Sequence, residues 1–499
     1  MNRRGPLVIA ALAAALLAGC GDGGRPQAGR LGSIGTPGPV PAPADPATHP
    51  NVVFVLTDDL STDLLDYMPS VRELQREGLS FNRYIVSNSL CCPSRATIFT
   101  GEYPHNTGVF TNVRPDGGLA AFHKHHDGPK SFAIPISQAG YRTALLGKYL
   151  NGYAADRGSV PRGWTDWAGS DNGYSGFNYT LDEDGTPVRY GSSPADYTTD
   201  VLATRAQAFI ANAARDQTPF VLEVSTFAPH FPAVAAPQDQ AKYADSQAPR
   251  GPSFNARNVD PPKWLADRRK LNVHRVSYID ARHRDRARSV QAVDRMIVAL
   301  REQLRTSGLE DNTYFVFSSD NGYHMGQHRL APGKLTAFDS DIRVPLVVVG
   351  PGVAAGSTTD ALAQNTDLAP TFTELAGAPV PATVDGRSLV PFLRGDTPPD
   401  WRTAALIEHH HVTGSDDTAS PDRQTALSGN PPDYKALRLA TATYVEYRTG
   451  EREYYDLDSD PDERVNAYAT LSAAQRQALH DQLTALSDCQ GAQACSTAR

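Results

Sequence analysis

Short apolar runs alternate with longer amphipathic stretches along the chain from residue 51 onward. The runs NVVFVLTDD (51–59) and TYFVFSSDNG (313–322) are rich in β-branched and aromatic residues and end in polar ones, which predicts buried parallel strands. Three further runs have the same form, at 142–149, 220–230 and 344–352. In 288–306 the spacing of apolar residues predicts an amphipathic helix. Its apolar positions are Val290, Val293, Met296, Ile297, Leu300 and Leu304.

Strands that alternate with helices predict an α/β fold, with a large, mostly parallel central sheet flanked by helices. In such sheets the ligand site lies outside the carboxyl ends of the strands. Asp58 and Asp59 follow one predicted strand, and Asp320 and Asn321 follow another. We therefore expect these four side chains to converge at one edge of the sheet.

The sequence becomes more polar after residue 395, which predicts a catalytic domain at 50–400 and a smaller C-terminal α+β subdomain at 401–499. Alternating aromatic and charged residues at 444–463 predict a small antiparallel sheet. Ser472 and Gln475 form the capping box of a terminal helix.

The first twenty residues carry two arginines and then an apolar run too short for a membrane span, which predicts an export signal. Ala18 and Gly19 before Cys20 favour a bacterial lipoprotein signal, with Cys20 lipidated, over a plain cleaved signal peptide. Residues 21–49 are rich in Gly, Pro and Ala, and we expect a flexible linker there.

The composition is that of a globular protein, with 40% hydrophobic and 20% charged residues among 499. A formal net charge of -8 and the lack of a Lys or Arg cluster argue against nucleic-acid binding. The chain has five cysteines, and in an oxidising compartment Cys489 and Cys495 are expected to form a small disulfide loop.

Asp58, Asp59, Asp320 and Asn321 offer oxygen ligands suited to a hard divalent cation, Ca²⁺ or Mg²⁺. Carboxylates at strand ends also serve as helix caps or turn formers. The residue types alone leave both interpretations open.

Two adjacent cysteines precede Pro93, Ser94 and Arg95 in SLCCPSRATIFTG, residues 89–101. Buried packing, a vicinal disulfide or a soft-metal site would account for the cysteines but not for the residues that follow. The stretch resembles the sulfatase signature Cys-x-Pro-Ser-Arg followed by Thr-Gly. Cys92 occupies its variable position and is predicted to be a packing residue.

The resemblance covers nearly all of the chain from residue 51 to 466, and three more segments carry it: GYRTALLGKYLNGY (140–153), DNGYHMGQHR (320–329) and YDLDSDPDE (455–463). GKYLNGY with the downstream PRGWTDW (161–167) is similar to the branch of N-acetylglucosamine-6-sulfatases and heparan sulfatases. The resemblance implies an alkaline-phosphatase-like fold.

It also implies that a formylglycine-generating enzyme converts Cys91 to Cα-formylglycine. One hydroxyl of the hydrated aldehyde attacks sulfur, and the other expels sulfate as the carbonyl reforms. The implied metal ligands are Asp58, Asp59, Asp320, Asn321 and the formylglycine at position 91, and family preference is for Ca²⁺.

The remaining catalytic residues also follow from the resemblance. Arg95 matches the arginine that stabilises the formylglycine hydrate, Lys148 and Lys334 match lysines that neutralise the sulfate, and His230 matches the general acid. Exposed lysines are often merely solvated, and a histidine at this position could instead cap a strand. Leu150 stands where many family members have another histidine.

Other histidines invite weaker interpretations. His105 or His324 could contact substrate in place of the histidine that Leu150 replaces. His409, His410 and His411 look like a soft-metal cluster, but adjacent side chains diverge, so a substrate-facing loop or a solvated turn is preferred.

The sequence thus predicts an exported sulfatase, tethered to the outer face of the bacterial cytoplasmic membrane or secreted, that acts on 6-O-sulfated N-acetylglucosamine in a sulfated glycan. Two alternatives stay open: a phosphonate monoester or phosphodiester hydrolase of the same superfamily, and a non-catalytic glycan-binding lipoprotein.

Overall fold

A computed structural model describes residues 49–412 and 426–497, which belong to one compact unit. The predicted signal at 1–20 and all but the last residue of the predicted linker lie outside the described residues. The domain boundary at residue 400 stays a prediction. Among the described helices, none is long and apolar enough to cross a membrane.

The strands of the described residues form two sheets, a large mixed one and a small antiparallel one. The strands are β1 (Asn51–Thr57), β2 (Leu79–Ile85), β3 (Arg142–Lys148), β4 (Asp166–Ser170), β5 (Thr180–Glu183), β6 (Thr186–Arg189), β7 (Phe220–Ser225), β8 (Thr313–Ser319), β9 (Leu346–Val349), β10 (Ser357–Gln364), β11 (Ala404–His409), β12 (Tyr434–Leu439), β13 (Ala442–Tyr447) and β14 (Arg452–Asp456).

Helices connect these strands, with short 3₁₀ turns between them. The helices are α1 (Pro69–Glu77), α2 (Cys91–Thr100), α3 (Pro104–Thr107), α4 (Gly118–Lys124), α5 (Ala133–Gln138), α6 (Thr198–Asp216), α7 (Lys263–Ala266), α8 (Val273–Thr306), α9 (Asp339–Ile342), α10 (Leu368–Leu375), α11 (Val390–Leu393), α12 (Ala473–Ser487) and α13 (Ala492–Thr497).

The large sheet has ten strands in the order β10-β2-β9-β8-β1-β7-β3-β4-β5-β6. Its centre is parallel, since β8, β1, β7, β3 and β4 all run in one direction. β9 runs against both of its neighbours, and β5 and β6 add an antiparallel edge. All five strands expected from the apolar runs are present, and the predicted fold class is confirmed.

The large sheet is covered on both faces, which explains why its central strands read as continuous apolar runs. In β1, Phe54 packs into one hydrophobic cluster with residues of α2, α5 and α10, while Val53 and Val55 pack into another with α1, α6 and α8. β1 is buried along its whole length. This burial fixes the sheet and holds the strand ends that carry the site.

The small sheet has the order β11-β12-β13-β14 and is antiparallel throughout. Helix α12 packs on it through Leu483 and Leu486, and Ser472 and Gln475 form the predicted capping box. Cys489 and Cys495 form the expected disulfide. The antiparallel C-terminal sheet is therefore confirmed.

Candidate active site

The acidic centre of the site forms where two central strands end side by side. β1 and β8 are parallel neighbours in a register that pairs Thr57 with Ser319, so the residues after each strand meet at the same edge. The backbone N–H of Asp59 donates to Oδ1 of Asp320 at 3.1 Å. The expected convergence is thus present, and all four predicted residues are buried.

Cys91 is the first residue of α2 and lies against this acidic edge. Its Sγ is 3.3 Å from Asp58 Oδ1 and 3.9 Å from Asp59 Oδ1. Lys334 Nζ lies 2.8 Å from the same sulfur. The partial positive charge of a helix N-terminus favours an anionic group at this position. Cys92 packs into the hydrophobic core, as predicted.

Three buried cations compensate the three carboxylates. Lys148 Nζ lies 2.5 Å from Asp58 Oδ2, and Lys334 Nζ lies 2.6 Å from Asp59 Oδ1. Arg95 Nε donates to Asp320 Oδ2 at 2.8 Å. These pairs are fully desolvated, and the loss of either partner would leave a charge buried without compensation.

His230 completes the cluster from the loop after β7. Its Nε2 lies 3.5 Å from Asp59 Oδ2, and its Nδ1 lies 2.7 Å from the carbonyl oxygen of Phe231. The Tyr174 ring packs against the imidazole, with centroids 4.7 Å apart. Both ring nitrogens therefore face oxygen atoms that can accept a hydrogen bond.

The carboxylates of the cluster differ in their electrostatic surroundings. Burial opposes ionisation of Asp58, but Lys148 and His230 outweigh it and hold the pKa of Asp58 well below its ordinary value. Burial and the charge of Asp58 raise the pKa of Asp320 to about 6, although Arg95 opposes this. A divalent cation at the cluster would favour the ionised form of both groups.

The residues present fit a hard divalent cation. Ligand atoms of Asp58, Asp59, Cys91 and His230 lie within 4.8 Å of one another. Oδ1 of Asn321 is a buried acceptor with no hydrogen-bond partner, while the Nδ2 of the same amide donates to Asp59 Oδ1 at 2.6 Å. Carboxylate and amide oxygens are the donors that Ca²⁺ and Mg²⁺ prefer.

Two buried residues that the sequence did not point to, Ser225 and Glu223, lie near Arg95. Its Nη1 donates to Ser225 Oγ and, at 3.1 Å, to the carbonyl oxygen of Lys148. Burial raises the pKa of Glu223 to about 8 despite the nearby guanidinium. Burial therefore favours the uncharged form of Glu223, while Arg95 pairs with Asp320.

Arg286 on α8 is a further residue that sequence reasoning missed. Its Nη2 donates to the carbonyl oxygen of Asp59 at 2.6 Å, which holds the acidic loop in place. It is buried on the face that also carries Ile279, His283 and Val290. Arg286 continues the three-and-four spacing of Ile279 and His283, and this spacing was the available signal in the sequence.

The weaker histidine interpretations find no support. His324 binds Asp341 through Nδ1 and the carbonyl oxygen of Ser428 through Nε2, so both ring nitrogens are used within the protein. His105 is likewise held by Glu408 and the carbonyl oxygen of Cys489. Leu150 is buried in the core.

The three adjacent histidines diverge, as expected, but the preferred loop interpretation is wrong for His409. It is buried at the end of β11, where burial lowers its pKa to about 3. The His410 ring stacks on Phe110, with centroids 3.7 Å apart. His411 Nδ1 lies 2.9 Å from the carbonyl oxygen of Pro431.

Two models of known protein families match this chain. The Sulfatase family model matches residues 50–378, and the model for the C-terminal part of N-sulphoglucosamine sulphohydrolase matches residues 326–489. The chain belongs to the sulfatase family and is a sulfuric ester hydrolase.

Two curated relatives place the chain within that family. It is 34% identical to human N-acetylglucosamine-6-sulfatase over 476 residues, which cover 89% of this chain and 85% of the relative. It is 35% identical over 370 residues to an extracellular sulfatase of Drosophila melanogaster, with 72% of this chain and 33% of the relative covered. The predicted resemblance to the N-acetylglucosamine-6-sulfatase branch is confirmed.

The fold has solved counterparts. A protein solved in complex with its substrate D-glucosamine-2-N,6-O-disulfate superposes with a TM-score of 0.73 at 23% identity, over 87% of this chain and 97% of that one. This likeness establishes the alkaline-phosphatase-like fold.

Proposed function

We propose that the enzyme removes a 6-O-sulfate from N-acetylglucosamine in a sulfated glycan, with a formylglycine derived from Cys91 and a divalent cation, Ca²⁺, in the cluster. One observation carries the proposal: Cys91 Sγ lies 3.3 Å from Asp58 Oδ1 and 2.8 Å from Lys334 Nζ, within a buried set of three carboxylates and three cations. The named substrates of the relatives described above support the choice of sugar.

Residue 91 holds the nucleophile. A formylglycine hydrate there supplies two hydroxyls, one to attack sulfur and one to release sulfate afterwards, which a cysteine or serine cannot do. Its place at the start of α2 puts the developing negative charge next to the helix N-terminus and to Lys334. Arg95 keeps Asp320 ionised and in place through its bond to Oδ2.

Asp58, Asp59, Asp320 and Asn321 would hold the cation. A divalent cation supplies positive charge that lowers the pKa of the attacking hydroxyl and polarises the sulfate oxygens. Lys148 and Lys334 are buried beside Asp58 and Asp59, where their ammonium groups can neutralise further sulfate charge. Preorganised charge in a dry site is the largest source of barrier lowering available to these residues.

His230 would protonate the leaving oxygen of the sugar. As the sulfur–oxygen bond breaks, a sugar alkoxide forms that is too basic to leave unprotonated, and the imidazolium Nε2–H supplies the proton. Its Nδ1–H donates to the Phe231 carbonyl and fixes the ring orientation. The net reaction consumes one water and yields the free sugar hydroxyl and inorganic sulfate.

The proposal includes maturation and export. A formylglycine-generating enzyme would act on Cys91 before folding, because the cysteine is fully buried afterwards. We propose export and lipid attachment at Cys20, on the outer face of the bacterial cytoplasmic membrane, or secretion if the signal is simply cleaved. The extracellular relative and the disulfide between Cys489 and Cys495 support an exported protein.

Substrate-specific kinetics test the proposal. Sulfate release is measured from the 6-sulfate and 3-sulfate of N-acetylglucosamine, and alcohol release from a phosphonate monoester and a phosphodiester. The proposal predicts that kcat/KM is highest for the 6-sulfate and that a Cys91→Ala variant is inactive. Faster turnover of the phosphorus esters would favour the phosphonate or phosphodiester hydrolase. Binding of the 6-sulfate without turnover by a protein that retains its Cys91 thiol would favour the glycan-binding lipoprotein.

A further inference from the structure

A cavity of about 720 Å³ opens next to the catalytic cluster. Phe231, which follows His230, lines it, and so does Arg286, whose guanidinium binds the Asp59 carbonyl. The cavity therefore lies beside the buried site. It is large enough for more than the sulfated sugar alone.

One face of helix α8 forms a wall of this cavity. Arg275, Tyr278, Arg282 and Arg286 follow each other at spacings of three or four residues, so their side chains lie on one side of the helix. The helical rise places Arg282 about 6 Å, and Arg275 about 16 Å, from Arg286 along the axis. The arginines thus form a row that leads outward from the catalytic cluster.

The inner and outer arginines of this row differ in what they bind. Arg286 is buried and bonded to the backbone carbonyls of Asp59 and Pro229, which accounts for its presence. Arg275 is exposed, and among the described residues no carboxylate pairs with it. Arg282 pairs with Asp285 at 2.6 Å, but its Nε is buried without a hydrogen-bond partner.

The cavity carries a positive charge that its own lining does not neutralise. Within the described parts of the chain its lining includes three arginines and no aspartate or glutamate, and only Arg282 pairs with a carboxylate next to the lining, that of Asp285. Such a surface attracts anionic groups and repels cationic ones.

Aromatic rings flank the row. Phe231 and Tyr278 are 42% and 52% exposed, which is unusual for large apolar side chains. The Arg282 guanidinium lies 5.7 Å and 5.5 Å from their ring centroids. Exposed rings beside charged donors suit a ligand that presents both an apolar ring face and an anionic group.

We propose that Arg275 and Arg282 form a subsite for a second anionic group, a carboxylate or a sulfate, on the sugar next to the one that loses its sulfate. This inference rests on the proposed function and deepens it. The preferred substrate is then an acidic oligosaccharide, because a monosaccharide or an aryl sulfate lacks this second anionic group.

Matched disaccharides test the subsite. Each carries 6-O-sulfated N-acetylglucosamine at the non-reducing end, joined by the same linkage to glucose, glucuronic acid or 2-O-sulfated glucose. The native, metal-loaded enzyme is expected to show a kcat/KM about tenfold or more higher for the acidic neighbours, the scale of one charge-assisted hydrogen bond. The difference should lie mainly in KM, because the neighbour binds equally in ground and transition states.

Variants separate the subsite from the catalytic machinery. The double variant R275Q/R282Q is expected to lose the preference for acidic neighbours and to keep the native kcat on the neutral disaccharide. Arg305→Gln, an exposed arginine at the other end of α8, serves as the matched control and should keep the preference. The native preference should also weaken as added salt screens the charges.

Equal kcat/KM for the three disaccharides, or an undiminished preference in the double variant, would overturn the inference while leaving the proposed function intact. If no disaccharide loses sulfate, the proposed function fails, and calorimetric binding to the native protein then tests the subsite alone. Tighter binding of the acidic disaccharides would support it, and equal binding of acidic and neutral disaccharides would overturn it.

Discussion

Replacing Lys334 by methionine removes the cation that joins the nucleophile to the acidic cluster. Lys334 Nζ lies 2.6 Å from Asp59 Oδ1 and 2.8 Å from Cys91 Sγ, and the lysine is fully buried. Methionine keeps most of the volume of the side chain and removes its charge. The variant therefore isolates the electrostatic contribution of one ammonium group.

Two effects of different size follow. Without Lys334 the buried Asp59 carboxylate loses its nearest cation, a loss that costs about 3–5 kcal/mol of folding stability. A bound divalent cation would take over part of the compensation, so the loss should be smaller in Ca²⁺ than in chelator. In catalysis, loss of one preorganised positive group is expected to lower kcat by about 10²–10³.

The assay compares native enzyme, Lys334→Met and the exposed-site control Lys124→Met. Thermal unfolding midpoints are measured in Ca²⁺ and in EDTA, and sulfate release is measured in Ca²⁺ at saturating 6-sulfated N-acetylglucosamine. The control should match the native enzyme in every measurement. The reasoning is refuted if Lys334→Met keeps a native kcat, or if its stability loss is the same with and without Ca²⁺.

Three further predictions concern other parts of the molecule. His230→Gln should lower kcat strongly for a sugar sulfate and much less for a nitrophenyl sulfate, whose leaving group needs no proton; equal losses would exclude His230 as the general acid. Glu453 accepts from the hydroxyls of Tyr447 and Tyr455, and burial raises its pKa to about 7. The protonated Glu453 side chain stabilises the fold fully below its ordinary pKa of 4.5, and this stabilisation is lost as the pH rises through 7. Between these pH values the free energy of unfolding of the native protein, measured by denaturant titration, should fall by up to about 3 kcal/mol relative to that of Glu453→Gln. Opening the short loop closed by Cys495 with Cys495→Ser should cost about 2 kcal/mol, measured the same way, and an unchanged midpoint would argue that the bridge is not stabilising.

Much of the site could be predicted because it follows from strand direction. The sequences of β1 and β8 are apolar runs that predict buried strands. Parallel neighbours end at the same edge of a sheet, so Asp58 and Asp320 lie close together if the two strands are adjacent. Periodicity alone could not give that adjacency. The placement of Cys91, Lys148 and His230 beside them came from the resemblance of whole motifs.

Three other features of the structure could not be predicted, because the neighbouring sequence does not indicate them. Helix α8 begins at Val273, well before the predicted start, because its first half buries His283 and Arg286 through hydrogen bonds rather than through an apolar stripe. His409 reads as a polar loop residue in the sequence, but pairing with Tyr434 in β12 draws it into the small sheet. Ser225 could not be predicted, because its role is to accept a hydrogen bond from Arg95, which lies 130 positions away in sequence.

The chemical state of residue 91 is the most direct test of the central claim, that a residue formed from Cys91 attacks the sulfate ester. Intact-peptide mass spectrometry of the reduced segment containing Cys91, from active enzyme purified from its own host, is predicted to give a mass about 18 Da below that of the cysteine peptide, as expected for the aldehyde. An unmodified Cys91 in enzyme that hydrolyses sulfate esters at the native rate would contradict the account.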